Sequence, residues 1–121
     1  MANCDYQTVT EIFVGEGITS FTTGVFNSFA SLKKLNLPSS LQSSTGQDTR
    51  NCYVLETITL AEGSQNLEVD EFGVLYNKGK TCIIRFPPKK NAKNFKFPSE
   101  TTTIGEGAFQ YCLTQWHLLS K

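Results

Sequence analysis

The stretch Pro98-Ser99-Glu100-Thr101-Thr102-Thr103-Ile104-Gly105-Glu106-Gly107-Ala108-Phe109-Gln110-Tyr111-Cys112 decides the fold, because its apolar spacing recurs upstream. Thr101, Ile104, Phe109 and Cys112 occupy the same relative positions as Ile18, Phe21, Phe26 and Phe29. Further back the recurrence settles on one offset: Ile12, Leu35 and Ile58 stand 23 residues apart, as do Val14, Leu37 and Leu60. Phe26 with Thr49, Phe29 with Cys52 and Leu32 with Leu55 share that offset. A fixed period of about 20–50 residues marks a stacked repeat, in which each unit buries its apolar side only against its neighbours.

Within one unit the residue types explain the local path. In Leu32-Lys33-Lys34-Leu35-Asn36-Leu37, residues 35 and 37 point to one side and Asn36 to the other, as a strand requires. Pro38 and two serines turn the chain, and the i,i+3 apolar spacing ending in Phe29 or Cys112 suits a single helical or 3₁₀ turn. The expected architecture is one repeat domain over 1–121, mostly β with short helical or 3₁₀ turns on the convex side. Its coils span about 6–29, 30–52, 53–94 and 95–121. The third is lengthened: Val74-Leu75-Tyr76 and Thr81-Cys82-Ile83-Ile84-Arg85-Phe86 flank an Asn/Gly-containing turn, which predicts an inserted β-hairpin over about 72–86. In the second coil Ser44, Asp48 and Thr49 replace large residues. Loose packing is expected there, and 42–51 is the expected most mobile segment.

Composition excludes several function classes. Eleven basic residues balance eleven acidic ones, so no strongly charged partner follows from net charge. Yet 78–96 holds seven basic residues and no acid, which is either a solvated face or a site for an anionic partner such as a sulfated glycan. No run approaches the ~18 apolar residues of a membrane span. The first residues show neither a basic nor an apolar run, so no secretory signal is expected. Four widely spaced cysteines fit neither a zinc ribbon nor a dense disulfide frame, and Cys52 and Cys112 fall at one repeat position, as small buried hydrophobes would.

The unit Leu-x-x-Ile-x-Leu-Pro-x-x-Leu-x-x-Ile-Gly-x-x-Ala-Phe-x-x-Cys, best matched by residues 97–112, resembles the 23-residue leucine-rich repeat of BspA-like surface antigens. The resemblance implies a right-handed leucine-rich-repeat solenoid with a concave parallel sheet and a surface or adhesive role. By the same resemblance the chain is a non-enzymatic protein- or glycan-binding module, at the cell surface or secreted. A cytoplasmic location stays open because no signal is seen in the sequence. The competing expectation is a structural spacer with no specific ligand.

If the strands line a concave face, outward columns run through Phe13, Asn36, Thr59 and Lys96, through Lys34 and Thr57 beside them, and through Trp116 on a third line. These seven are the expected contacts to an extracellular or host protein. Lys89, Lys90 and Lys93 are the expected contacts to a sulfated glycan. End-to-end self-association through terminal strands is also expected. No catalytic residue, cofactor or metal site is expected. His117 and Cys112, five residues apart on an extended or turning segment, are poorly placed as a catalytic pair. Glu68, Asp70 and Glu71 lack a cation loop's spacing. Phe95 and Phe97, among the lysines, stand at core positions, which argues against nucleic-acid binding.

Overall fold

The computed structural model describes residues 6–90 and 95–112. Lys93 and Trp116, with Asn94, His117 and Leu119, therefore lie outside the described residues.

Strands β1 (Glu11–Phe13), β2 (Lys34–Leu37) and β3 (Thr57–Leu60) form a parallel sheet in that order. Glu11 pairs with Lys34 and Lys34 with Thr57, while Ile12, Leu35 and Ile58 align beside them. The register of the sheet is therefore the sequence period. Entry into each strand repeats as well. The amides of Lys33 and Lys34 both donate to the Thr10 carbonyl, at 2.8 and 3.1 Å. One coil on, the amides of Glu56 and Thr57 both donate to the Lys33 carbonyl, at 2.8 and 3.2 Å. Alternation decides the faces: Leu35 and Leu37 are buried, Lys34 is exposed and Asn36 is half-buried.

The lengthened third coil builds a second sheet. Strands β4 (Leu67–Val69), β5 (Leu75–Asn77) and β6 (Cys82–Arg85) pair antiparallel in sequence order, and β7 (Thr103–Ile104) joins β6 in parallel. The expected pair of strands thus has a third strand, β4, on its outer side. Asp70 explains it. Its carboxylate accepts the amides of Phe72 at 2.9 Å and Val74 at 3.1 Å, closing a turn that folds 67–69 back along 75–77. The two sheets meet where the Ile58 amide donates to the Gly73 carbonyl at 3.2 Å. A side chain at Gly73 would run into Thr57, so this approach needs glycine.

The interior holds two apolar clusters. The first gathers Phe26, Leu32, Leu35, Leu37, Leu41, Cys52, Leu55 and Ile58 from the regular coils, together with Leu75 and Ile84. The second contains Val74, Tyr76, Ile83, Phe86, Phe95, Ala108 and Cys112. Successive residues of β5 and β6 thus serve opposite clusters, and the meander is a partition buried on both faces. Phe86 lies flat on Phe109 with centroids 5.4 Å apart and meets Phe95 edge-on at 4.9 Å. The two buried cysteines perform one task twice. Cys52 donates its thiol to the Phe26 carbonyl at 3.3 Å, and Cys112 donates to the Phe86 carbonyl at 3.4 Å.

The second coil corrects the expectation of loose packing. Gly46–Thr49 is a 3₁₀ turn begun by a capping box: the Thr45 hydroxyl accepts from the turn, and Asp48 accepts the Thr45 amide at 3.0 Å. Gly46, Asp48 and Thr49 are buried. A methyl group at Gly46 would strike the Gly107 carbonyl, so the turns of the second and fourth coils touch backbone to backbone. Arg85 fastens them. It is 1% exposed, and its guanidinium donates to the Thr49 hydroxyl and carbonyl at 2.9 and 3.1 Å and to the Gly107 and Gln110 carbonyls at 3.1 and 2.9 Å. The polar residues that replaced the large apolar ones are the acceptors this arginine uses.

Candidate functional site

The open face of the parallel sheet is where the repeat sets side chains in columns without burying them. Phe13, at 75% exposure, is at its edge. Along the same column the Thr59 hydroxyl donates to Asn36 Oδ1 at 2.6 Å, and Asn36 Nδ2 donates to Glu11 Oε2 at 3.0 Å and to the Ile12 carbonyl at 3.1 Å. A ladder of polar contacts therefore ties three coils together across the face. Beside it Lys34 lies 4.0 Å from Glu11, both well exposed, and Thr57 packs on Gly73. Charge on this face is mixed, and much of it is engaged within the face.

Of the expected contacts, Phe13, Lys34, Asn36, Thr57 and Thr59 come together on this sheet. Lys96 is exposed but stands on 95–98, which form no strand, so it does not extend the Asn36–Thr59 column. In the basic run, Lys89 is exposed and Lys90 half-buried. Lys78 donates to the Ser64 carbonyl at 3.2 Å, Lys80 lies 4.0 Å from Glu68 and 5.6 Å from the Tyr76 ring centre, and Arg85 is core. The run is thus divided between meander, core and loop. Arg85 could not be told from its surface neighbours because a lysine-rich setting hides a buried arginine. The one available signal was its place beside Phe86, where strand alternation continues into the core.

The described residues offer little for catalysis. Burial pushes the Cys52 and Cys112 thiols up to about 11, against a smaller opposing pull from Arg85, so both are protonated at neutral pH. Glu68 accepts the Gly79 amide at 2.8 Å, and Asp70 accepts the buried Tyr76 hydroxyl at 2.9 Å. Burial first, and then Asp70, raise the Tyr76 phenol far above its ordinary range. No group of three His, Cys, Asp or Glu side chains among the described residues is arranged to hold a metal. Recesses of about 180 Å³ beside Glu62 and Lys78 and about 130 Å³ beside Cys82 and Glu106 are smaller than the roughly 300 Å³ of common small-molecule sites. No helix among the described residues is long and apolar enough to cross a membrane.

Comparison with known proteins agrees with the geometry. The BspA type leucine rich repeat region family matches residues 2–83 and 84–120, in six copies. A leucine-rich repeat protein from Eubacterium ventriosum superimposes with a TM-score of 0.73 at 24% identity, over 84% of this chain and 27% of that one. The pneumococcal vaccine antigen PcpA superimposes with a TM-score of 0.69 at 24% identity, over 87% of this chain and 32% of that one. The chain thus spans about a third or less of these solved relatives. A search of curated proteins found no match. With the family's repeat found from end to end, and the strands stacked in its register, the chain belongs to the BspA-type leucine-rich-repeat family.

Proposed function

We propose that this chain is a non-enzymatic interaction module of the surface-antigen type, wound right-handedly, that presents the open face of its parallel sheet to an extracellular protein or a glycan. The observation carrying this reading is Phe13, a large apolar side chain left 75% exposed on a face that the repeat otherwise fills with polar groups. Phe13, Lys34, Asn36, Thr57 and Thr59 are its proposed protein contacts, and Lys96 and Trp116 are proposed with them. Lys89, Lys90 and Lys93 are the proposed glycan contacts. A cell-surface location is part of this proposal, supported by membership of the BspA-type family and the likeness to a vaccine antigen. End-to-end self-association is proposed through the terminal strands, of which β1 is paired on one side only among the described residues.

The test is binding of the intact chain to a panel of purified extracellular proteins and sulfated glycans, repeated with Phe13→Ser and Lys34→Glu. Loss of at least about tenfold in affinity for one partner supports the reading. The paired Glu11 and Lys34 and the internally bonded Asn36 favour a second reading, a spacer without a ligand. Absence of any saturable binding establishes that one, and binding indifferent to both substitutions removes the open face as the contact surface.

A further inference from the structure

A second surface is built for a ligand more specifically than the open sheet face. Tyr53, at the junction of the second and third coils, and Tyr111, from the fourth, are 45% and 38% exposed and meet edge to face with centroids 4.6 Å apart. Each is chained to a buried cysteine, Cys52 or Cys112, so both rings stand on fixed ground. The Tyr53 phenol is raised above its ordinary range, first by the Tyr111 phenol, then by burial and by a hydrogen bond with it, while Arg50 pulls it down. Arg50, three residues before Tyr53, is thus the cation whose charge acts on the pair. Tyr111 holds φ at +65°, a left-handed conformation that side-chain-bearing residues rarely adopt. Glycine, the residue that relieves it, is absent here, and strain retained under an exposed aromatic ring points to use.

Cations border the pair. Arg50 is exposed, and the Lys89 amide donates at 2.9 Å to the Leu55 carbonyl, which sets the chain at Lys89 and Lys90 alongside the stretch that carries Tyr53. Among the described residues none of Arg50, Lys89 and Lys90 is ion-paired. Along the chain the nearest acids are Asp48 to Arg50, buried and bonded to Ser44 and Thr45, and the exposed Glu56 and Glu106 to Tyr53 and Tyr111. Aromatic faces take the C–H face of a sugar ring, and unpaired cations beside them take its charged substituents.

We infer that Tyr53, Tyr111 and Arg50, bordered by Lys89 and Lys90, form a site for an anionic polysaccharide, with a pyranose ring against the tyrosines and its carboxylate or sulfate on the cations. The inference rests on the reading of the chain as a binding module and names a ligand class for it. The experiment is calorimetric titration of the full chain with a heparin hexasaccharide, a galacturonate hexasaccharide bearing carboxylates alone, and neutral maltohexaose. The variants are Tyr53→Ala, Tyr111→Gly, Arg50→Ala and, as a control cation on the meander, Lys78→Ala. Tyr111→Gly relieves the left-handed strain, so it tests the ring in a chain that still folds.

Binding of an anionic hexasaccharide but not maltohexaose, weakened about tenfold or more by each of the first three variants and unchanged in Lys78→Ala, supports the site. Preference for heparin assigns sulfate, and equal binding of galacturonate assigns the carboxylate. Wild-type affinity in Tyr53→Ala and Tyr111→Gly, equal binding of maltohexaose, or no binding of either anionic sugar overturns it. If both sugars fail while a purified extracellular protein binds, the site is refuted and the module reading stands.

Discussion

The parallel sheet and the antiparallel meander use the same strand chemistry against opposite surroundings. In β1–β3 only one face is buried, and the other carries Lys34, Asn36 and Thr59, whose contacts with Glu11 and with one another are open to water. In β5 and β6 both faces are buried, Leu75 and Ile84 toward one cluster and Val74, Tyr76 and Ile83 toward the other. The buried polar side chains of β5 and β6, Arg85 and Tyr76, are bonded within the protein: the arginine to four acceptors, the phenol to Asp70. A hydrogen bond on the open face competes with water, whereas one in the partition leaves its partner stranded when broken. The open face is thus free to change its residues for recognition, and the partition is not.

The largest test of that contrast is Arg85→Ala. It should lower stability to urea by about 3–5 kcal/mol, because buried acceptors lose a charged donor and a cavity opens between the second and fourth coils. Arg85→Lys should recover only part, since a point charge cannot serve four divergent acceptors. Lys34→Ala on the open face should cost no more than about 0.5 kcal/mol. Equal effects for the two alanine variants would abolish the distinction.

Alkaline unfolding tests the partition's flank. Cys52 and Cys112 have thiols raised from an ordinary 9.0 to about 11. A group raised in the folded state contributes stability that is full below its unfolded value and disappears as pH climbs through the folded one. Stability should accordingly fall between about pH 9 and 11, by about 2 kcal/mol or more over the pair. The double variant Cys52→Ala/Cys112→Ala should show a shallower fall; an unchanged slope would place both thiols in water.

Two smaller effects sharpen the comparison. Tyr76→Phe should cost about 1–2 kcal/mol by leaving Asp70 without its phenol partner, against about 0.5 kcal/mol for Thr59→Val on the open face, both read from denaturant midpoints. Glu16 accepts the Ser39 amide at 2.8 Å and hydroxyl at 2.9 Å, the amide being the chief cause of its lowered pKa. Its carboxyl should titrate below the ordinary 4.5 by NMR and move back toward it in Ser39→Ala. Any stability it contributes is present above that ordinary value and lost as pH falls through the lowered one.

How much of this was legible in the sequence follows from the same physics. The 23-residue offset predicted the pairing of Ile12, Leu35 and Ile58 because a stacked coil leaves its register no freedom. The shared place of Cys52 and Cys112 was equally readable, since both face a carbonyl of the coil before. Where coils differ, the reading failed. Ser44, Asp48 and Thr49 looked like lost packing, yet the Ser44 hydroxyl donates to Asp48 at 2.7 Å and Thr49 receives Arg85. Such compensation between residues 36 apart leaves no local pattern. The extra strand β4 was hidden for a related reason: it depends on Asp70 closing a turn, not on apolar alternation. Tyr53 and Tyr111 likewise meet only because coils two and four touch at Gly46 and Gly107.

The most direct measurement is the pattern of methyl–methyl and methyl–aromatic nuclear Overhauser contacts from the adjacent residues Ile83 and Ile84 in a methyl-labelled sample. A partition buried on both faces predicts that Ile84 contacts the leucine and isoleucine methyls of the regular coils, while Ile83 contacts the rings of Phe86 and Phe95. Contacts from both residues to a single cluster, or exchange of either neighbourhood with water, would contradict it.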